Sequence, residues 1–181
     1  MIEAQEQLER ALRCSTADET IVLVTDTGEA SLRWAGNSMT TNGISRSRSW
    51  TVIAVLCGDT TRVGVVTSSS VDPADIAPTV RAAGAAAAAA APAEDAVPLV
   101  GGEGEPGDWA DAAAGTDITV FGRLVDDLAA GFDGADQLYG FAHHRISTTW
   151  LGTSSGVRRR FTEPEGSVEI NGKRGGLTGP S

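Results

Sequence analysis

Ile2, Leu8, Ala11 and Leu12 recur at helical spacing among Glu3, Glu6, Glu9 and Arg10, which predicts an amphipathic opening helix that ends near Cys14. Thr20–Thr25 is a β-branched run. Beyond Asp26-Thr27-Gly28, read as a turn, Ala30, Leu32 and Trp34 alternate with Ser31 and Arg33, so this stretch predicts a hairpin. Gly36-Asn37 and Asn42-Gly43 are turn dipeptides that leave at most a short strand over Ser38–Thr41. Trp50, Val52, Ala54 and Leu56 share one face of a strand predicted over Ser47–Cys57, and Arg62–Thr67 returns antiparallel after the turn Gly58–Thr61.

The pattern then becomes helical. Asp72 can cap a helix with Pro73 in its first position, Pro78 predicts a kink or restart, and Thr79–Ala91 is the helix proper, stopped by Pro92. Val120, Leu124, Val125 and Leu128 predict another helix, ending around Gly131, with core packing as its role. Leu138–Leu151 has the composition of a long strand, Gly152–Gly156 that of a turn, and Val157–Thr162 and Ser167–Asn171 supply two more strands. Between the helices, about 93–115, Gly101, Gly102, Gly104, Pro106 and Gly107 lie among acids, the composition of a flexible, exposed acidic connector. The end, Gly175–Ser181, is glycine-rich and looks unfinished rather than capped. The fold class expected is α/β of the α+β kind: an antiparallel or mixed sheet backed by helices, in one domain over residues 1–181.

Charge and composition narrow the function. The formal net charge of −10, from 24 acidic against 14 basic residues, disfavours nucleic-acid partners. Arg46 with Arg48, and Arg158 to Arg160, are the basic groups, and strand alternation sends Arg158 and Arg160 to one face and Arg159 to the other. No stretch approaches the roughly 20 apolar residues that span a bilayer, so no membrane association is expected. Met1–Arg13 lacks the apolar segment of a secretory leader, and with Cys14 and Cys57 the only cysteines the expected location is cytoplasmic.

Candidate chemistry is sparse. Gly152-Thr153-Ser154-Ser155-Gly156 matches the pattern of a nucleophile elbow, but a strand rather than a helix follows and no histidine comes after Ser154, so a hairpin turn is the expectation. His143 and His144 are the only histidines, and as strand neighbours they point to opposite faces. Asp126-Asp127 and Glu94-Asp95 read as solvated faces. Neither phosphate-binding glycine motif occurs. The residues predict no catalytic and no metal-binding position here.

Three segments carry a likeness: Leu32–Arg48 (LRWAGNSMTTNGISRSR), Ala93–Val100 (AEDAVPLV) and Tyr139–Lys173 (YGFAHHRISTTWLGTSSGVRRRFTEPEGSVEINGK). In this order and spacing they resemble the N-terminal domain of the TldD/PmbA family, especially its actinobacterial branch closer to PmbA, also called TldE. The family-motif positions, none with an assigned role, are Arg33, Trp34, Asn37, Asn42, Gly43, Gly152 and Gly156. The resemblance implies a two-part protein, with a larger β-rich C-terminal domain absent from this chain, assembled as a homodimer or a TldD-TldE heterodimer that processes or degrades unfolded peptides. Zinc belongs to an H-E-x-x-x-H helix of the TldD member, where two histidines hold the metal and the glutamate can activate water. That motif is missing here, so the chain is expected to hold no cofactor and to be inactive alone. The family is also linked to DNA gyrase modulation. The function implied is an assembly and substrate-enclosing domain of a metallopeptidase system. The alternative is a stand-alone acidic interaction domain with no peptidase link.

Overall fold

The structure, a computed structural model, describes residues 2–102, 104–134 and 137–174. The glycine-rich end at 175–181 lies outside the described residues. The elements in chain order are α1 (Ala4–Cys14), β1 (Glu19–Trp34), β2 (Met39–Leu56), β3 (Arg62–Ser68), α2 (Ile76–Ala89), α3 (Gly122–Phe132), β4 (Gln137–Thr153) and β5 (Arg158–Lys173). The strands form one five-stranded antiparallel sheet in the order β3-β2-β1-β4-β5. This is the α+β class that the pattern predicts.

Contacts divide the chain into two compact units: residues 1–26, 47–113 and 147–162, and residues 27–46, 114–146 and 163–181. In the first, α1 contributes Ala4, Leu8 and Ala11 and α2 contributes Ile76, Val80, Ala83 and Ala87, packed with Val22, Val24, Trp50, Val52, Ala54 and Trp150. The alanine-rich face of α2 permits a close approach to β3, because a Cβ at Gly64 would run into the backbone at Ala83, Ala86 and Ala87. The β2–β3 register pairs Val52 with Val66 and Ala54 with Gly64. In the second unit, Ala30, Leu32, Trp34 and Ala142 pack with Phe121 and Leu128.

The strands are longer than the turn signals suggest. β1 runs without a break through Asp26-Thr27-Gly28, where a turn is expected; its even-numbered positions from Thr20 to Trp34 lie on the inner face throughout, Asp26 half-buried among them. A continuous inward period outweighs the turn propensity of three residues, and Asp26 has a partner, since Arg48 donates to it from Nε (2.5 Å) and Nη2 (2.7 Å). The Asn42-Gly43 turn is likewise absent. The hairpin has already closed at Gly36 and Asn37, with φ of 58° and 60°, so Asn42 and Gly43 continue as exposed strand residues. The two terminal strands expected at 157–162 and 167–171 are one strand, β5, which runs through Pro164. A sheet edge tolerates proline because its missing N–H need not enter a ladder.

The helices also depart from expectation in phase. Asp72 caps a 3-10 turn at Pro73–Asp75 by accepting from the Ala74 N–H, and α2 restarts at Ile76 with Pro78 in its first turn, where no N–H is needed. Ahead of α3, Asp117 caps a second 3-10 turn, Ile118–Phe121. That turn shifts the helical phase. The buried stripe becomes Phe121 and Leu128 with Leu124 and Phe132 partly covered, while Val120 and Val125, expected inside, are 48% and 37% exposed. Arg158 and Arg160 turn inward to Glu9 and Asp108 while Arg159 is exposed, as alternation predicts.

Candidate functional site

Most family-motif positions gather in the second unit, around the β1–β2 hairpin. Asn37 holds a positive φ that asparagine tolerates, and its side chain works in both directions. Its Nδ2 donates to the Phe132 carbonyl at 3.1 Å, and its Oδ1 accepts the Leu138 N–H at 2.6 Å. Asn37 thereby ties the hairpin to the end of α3 and the start of β4. Trp34 is 2% exposed, and its Nε1 has no acceptor among the described residues. A Cβ at Gly140 would lie 2.6 Å from Trp34 Cζ2, so the indole uses the room glycine leaves. Arg33 alternates to the outer side and is exposed. Asn42 and Gly43 lie in the exposed part of β2, where Gly43 meets only Ser31 Oγ at 3.9 Å and has no steric need to be glycine.

That part of β2 is a sheet edge. β3 pairs with β2 only over Trp50–Leu56, so the side of residues 39–49 turned away from β1 has no strand beside it among the described residues. Met39, Thr40, Thr41 and Asn42 line a shallow open depression there. A charged group also lies in this unit. Glu29 accepts from Arg145 Nε at 2.8 Å and Ser45 Oγ at 3.4 Å, with His143 Nε2 at 4.0 Å, while Arg145 reaches Glu165 at 3.8 Å. Sequence reading did not single out Glu29 or Arg145. Their signal was opposite charge on two long strands, which is uninformative until register is known.

Gly152 and Gly156 belong to the first unit and have packing roles. A Cβ at Gly152 would collide with Leu8, and Gly156 adopts φ +94° against the Gly102 carbonyl. Ser154 lies in the turn, where its Oγ accepts the Thr20 N–H at 2.9 Å and its own N–H donates to the Thr20 carbonyl at 2.9 Å. The hydroxyl serves the backbone. His144 Nδ1 lies 2.7 Å from Thr116 Oγ1, whereas His143 faces Glu29. No group of three potential metal ligands converges among the described residues. No helix among them is long and apolar enough to cross a membrane.

Among the described residues, titration is perturbed at three groups. Arg48 is raised by its hydrogen bond to Asp26, with its Nη1 also donating to the Ile2 carbonyl at 2.7 Å. Desolvation, helped by Glu19 and Asp18, pushes the Cys57 thiol up. Asp117 is held down by hydrogen bonds from the Thr119 hydroxyl and N–H. None of the three forms an acid–base pair.

Residues 22–90 match the family model for PmbA/TldA metallopeptidase domain 1. Over these residues the chain is similar to the first domain of the PmbA/TldD family. Solved structures share its fold at low identity. TldE from Thermococcus kodakarensis is 14% identical with a TM-score of 0.63, over 94% of this chain and 39% of that one. A candidate modulator of DNA gyrase from Bacteroides thetaiotaomicron is 12% identical with a TM-score of 0.63, over 96% of this chain and 41% of that one. Another, from Thermotoga maritima, is 11% identical with a TM-score of 0.62, over 91% and 38%. The chain thus spans about two fifths of the length of these structures. No curated protein matches it.

Proposed function

We propose that this chain is the assembly and substrate-enclosing domain of a PmbA/TldD-type metallopeptidase system, working beside a TldD-like or second PmbA-like subunit on unfolded peptide. The observation that carries the reading is the match of residues 22–90 to the family's first domain. The open β2 edge at 39–49 adds a physical means, because an extended peptide can pair with a free strand edge while neighbouring pockets select side chains. Zinc and the water it activates are assigned to a TldD-type partner, and no step of hydrolysis is assigned to a residue here.

The test is reconstitution with a TldD-like subunit and an unfolded peptide. Chelator-sensitive cleavage is expected only with both proteins present. Ile44→Lys, which places a charge on the exposed edge, should slow that cleavage several-fold while leaving the complex intact by sizing. Cleavage by this chain alone, or stoichiometric zinc in it, would move the chemistry into this domain. Failure to associate with any TldD-like chain would favour a stand-alone acidic interaction domain.

A further inference from the structure

The acidic, glycine-rich segment between α2 and α3 carries one deeply placed side chain. Trp109 is 5% exposed and belongs to the first unit's core, while no other described residue between Ala88 and Val120 is buried. Its backbone carbonyl is the focus of two long-range donors, Gln5 Nε2 at 2.8 Å and Trp150 Nε1 at 3.2 Å. Arg160 flanks it. That guanidinium lies 5.5 Å from the Trp150 ring centroid and donates to Asp108 Oδ2 at 3.2 Å and the Ala112 carbonyl at 2.9 Å. Its Nε is buried with no acceptor among the described residues.

We propose that the first unit carries a socket for an acidic–aromatic peptide segment, filled here by the chain's own Asp108-Trp109. The groups that hold Trp109 do not require it to belong to this segment. An indole fills an apolar recess, a backbone carbonyl accepts two side-chain donors, and a carboxylate one residue earlier meets an arginine. Asp108-Trp109 sits in a turn closed by the Trp109 N–H to the Pro106 carbonyl (2.9 Å) and the Asp111 N–H to the Asp108 carbonyl (3.1 Å), and any Asp-Trp segment that adopts this turn offers the same three features. Gly104, Gly107 and Gly115, which impose little conformation of their own, flank the anchor, and between them the Asp111 and Ala112 carbonyls also accept from Gln5 Nε2 (3.3 Å) and Arg160. A vacated socket would leave the buried Trp150 N–H and the Arg160 cation without their acceptors, which disfavours simple release. Exchange for a competing segment keeps them satisfied. The loop then acts as a cis occupant that excludes others. This inference is independent of any peptidase partner.

The test uses the full chain carrying Trp109→Ala and a labelled synthetic peptide of residues 104–113 (GEPGDWADAA). Saturable binding by anisotropy is expected, at least tenfold weaker to wild type and at least tenfold weaker when Arg160→Gln is added. Replacing the peptide's tryptophan by alanine should abolish it. Absent binding to a folded Trp109→Ala protein, or equal binding of the alanine peptide, would overturn the socket. Should Trp109→Ala fail to fold, hydrogen exchange of Arg160→Gln decides. Faster exchange confined to 104–113 supports a docked loop, and acceleration throughout the first unit shows a fixed part of the core instead.

Discussion

Trp34 and Asn37 are three residues apart, and both matter through what surrounds them. The Trp34 indole is buried without a described acceptor for its Nε1, so its contribution comes from packing rather than a hydrogen bond. Trp34→Ala should lower unfolding free energy by about 3–5 kcal/mol, whereas Trp34→Phe should lose about 1–2 kcal/mol, read from urea denaturation. Equal losses would mean that the N–H has a partner. Asn37 adds a conformational requirement to its two side-chain bonds. Asn37→Ala loses both bonds and strains the positive φ, together about 2–4 kcal/mol; Asn37→Gly removes the strain and should recover about 1 kcal/mol of it. At Cys57 the raised pKa leaves less thiolate at pH 8 than a small free thiol has, so alkylation there should be slower than that of glutathione despite exposure. Labelling at the free-thiol rate would contradict the assigned cause.

Long-range order decided which element predictions held. The β2–β3 hairpin was legible because Trp50, Val52 and Ala54 alternate cleanly up to a glycine turn, and the structure pairs these strands antiparallel. The turns at Asp26–Gly28 and Asn42-Gly43 were not real, since a local dipeptide signal does not report the ladder on either side of it. The even-numbered inner face of β1 continues to Trp34, and Asp26 on that face is bonded by Arg48, 22 positions away. For α3 the error was one of phase, introduced by the 3-10 turn that precedes it. Leu128→Ala should therefore cost about 2–4 kcal/mol and Val125→Ala less than about 1 kcal/mol; similar losses would restore the stripe read from spacing. Gly64 allows a sharper test of helix–sheet approach. A methyl there meets helix backbone that cannot rotate aside, so Gly64→Ala should destabilise by about 2 kcal/mol or more, well beyond Gly43→Ala. Candidate site residues were less legible than elements. The likeness named Trp34 and Asn37 without roles, and Glu29, Arg145 and Trp109 carried no local signal.

At the scale of the whole molecule, the first unit packs α1 and α2 on one side of its sheet. Its core includes both α1 and α2 together with the even-numbered residues of β1, β2 and β4. Ile21, Leu23, Ile53, Val63, Val65 and Leu151 alternate with those core positions and so belong to the opposite face; Val65 is 55% exposed, the other five are half-buried, and Val55 on that face is buried. Apolar surface of this kind promotes association, and the open edge of β2 adds unpaired backbone groups. Against this works a formal net charge of −10, which makes copies of the chain repel one another. The two effects differ in salt dependence, because added salt screens the charge while leaving apolar burial in place. The isolated chain should therefore self-associate as its concentration rises, and more strongly in about 0.5 M than in about 0.05 M sodium chloride, where the Debye length changes several-fold. Light scattering after size exclusion measures this directly. Val65→Lys on the outer face should weaken the association without altering the circular dichroism spectrum. A monodisperse monomer at high concentration in both salts would show that this sheet face is compatible with water as it stands.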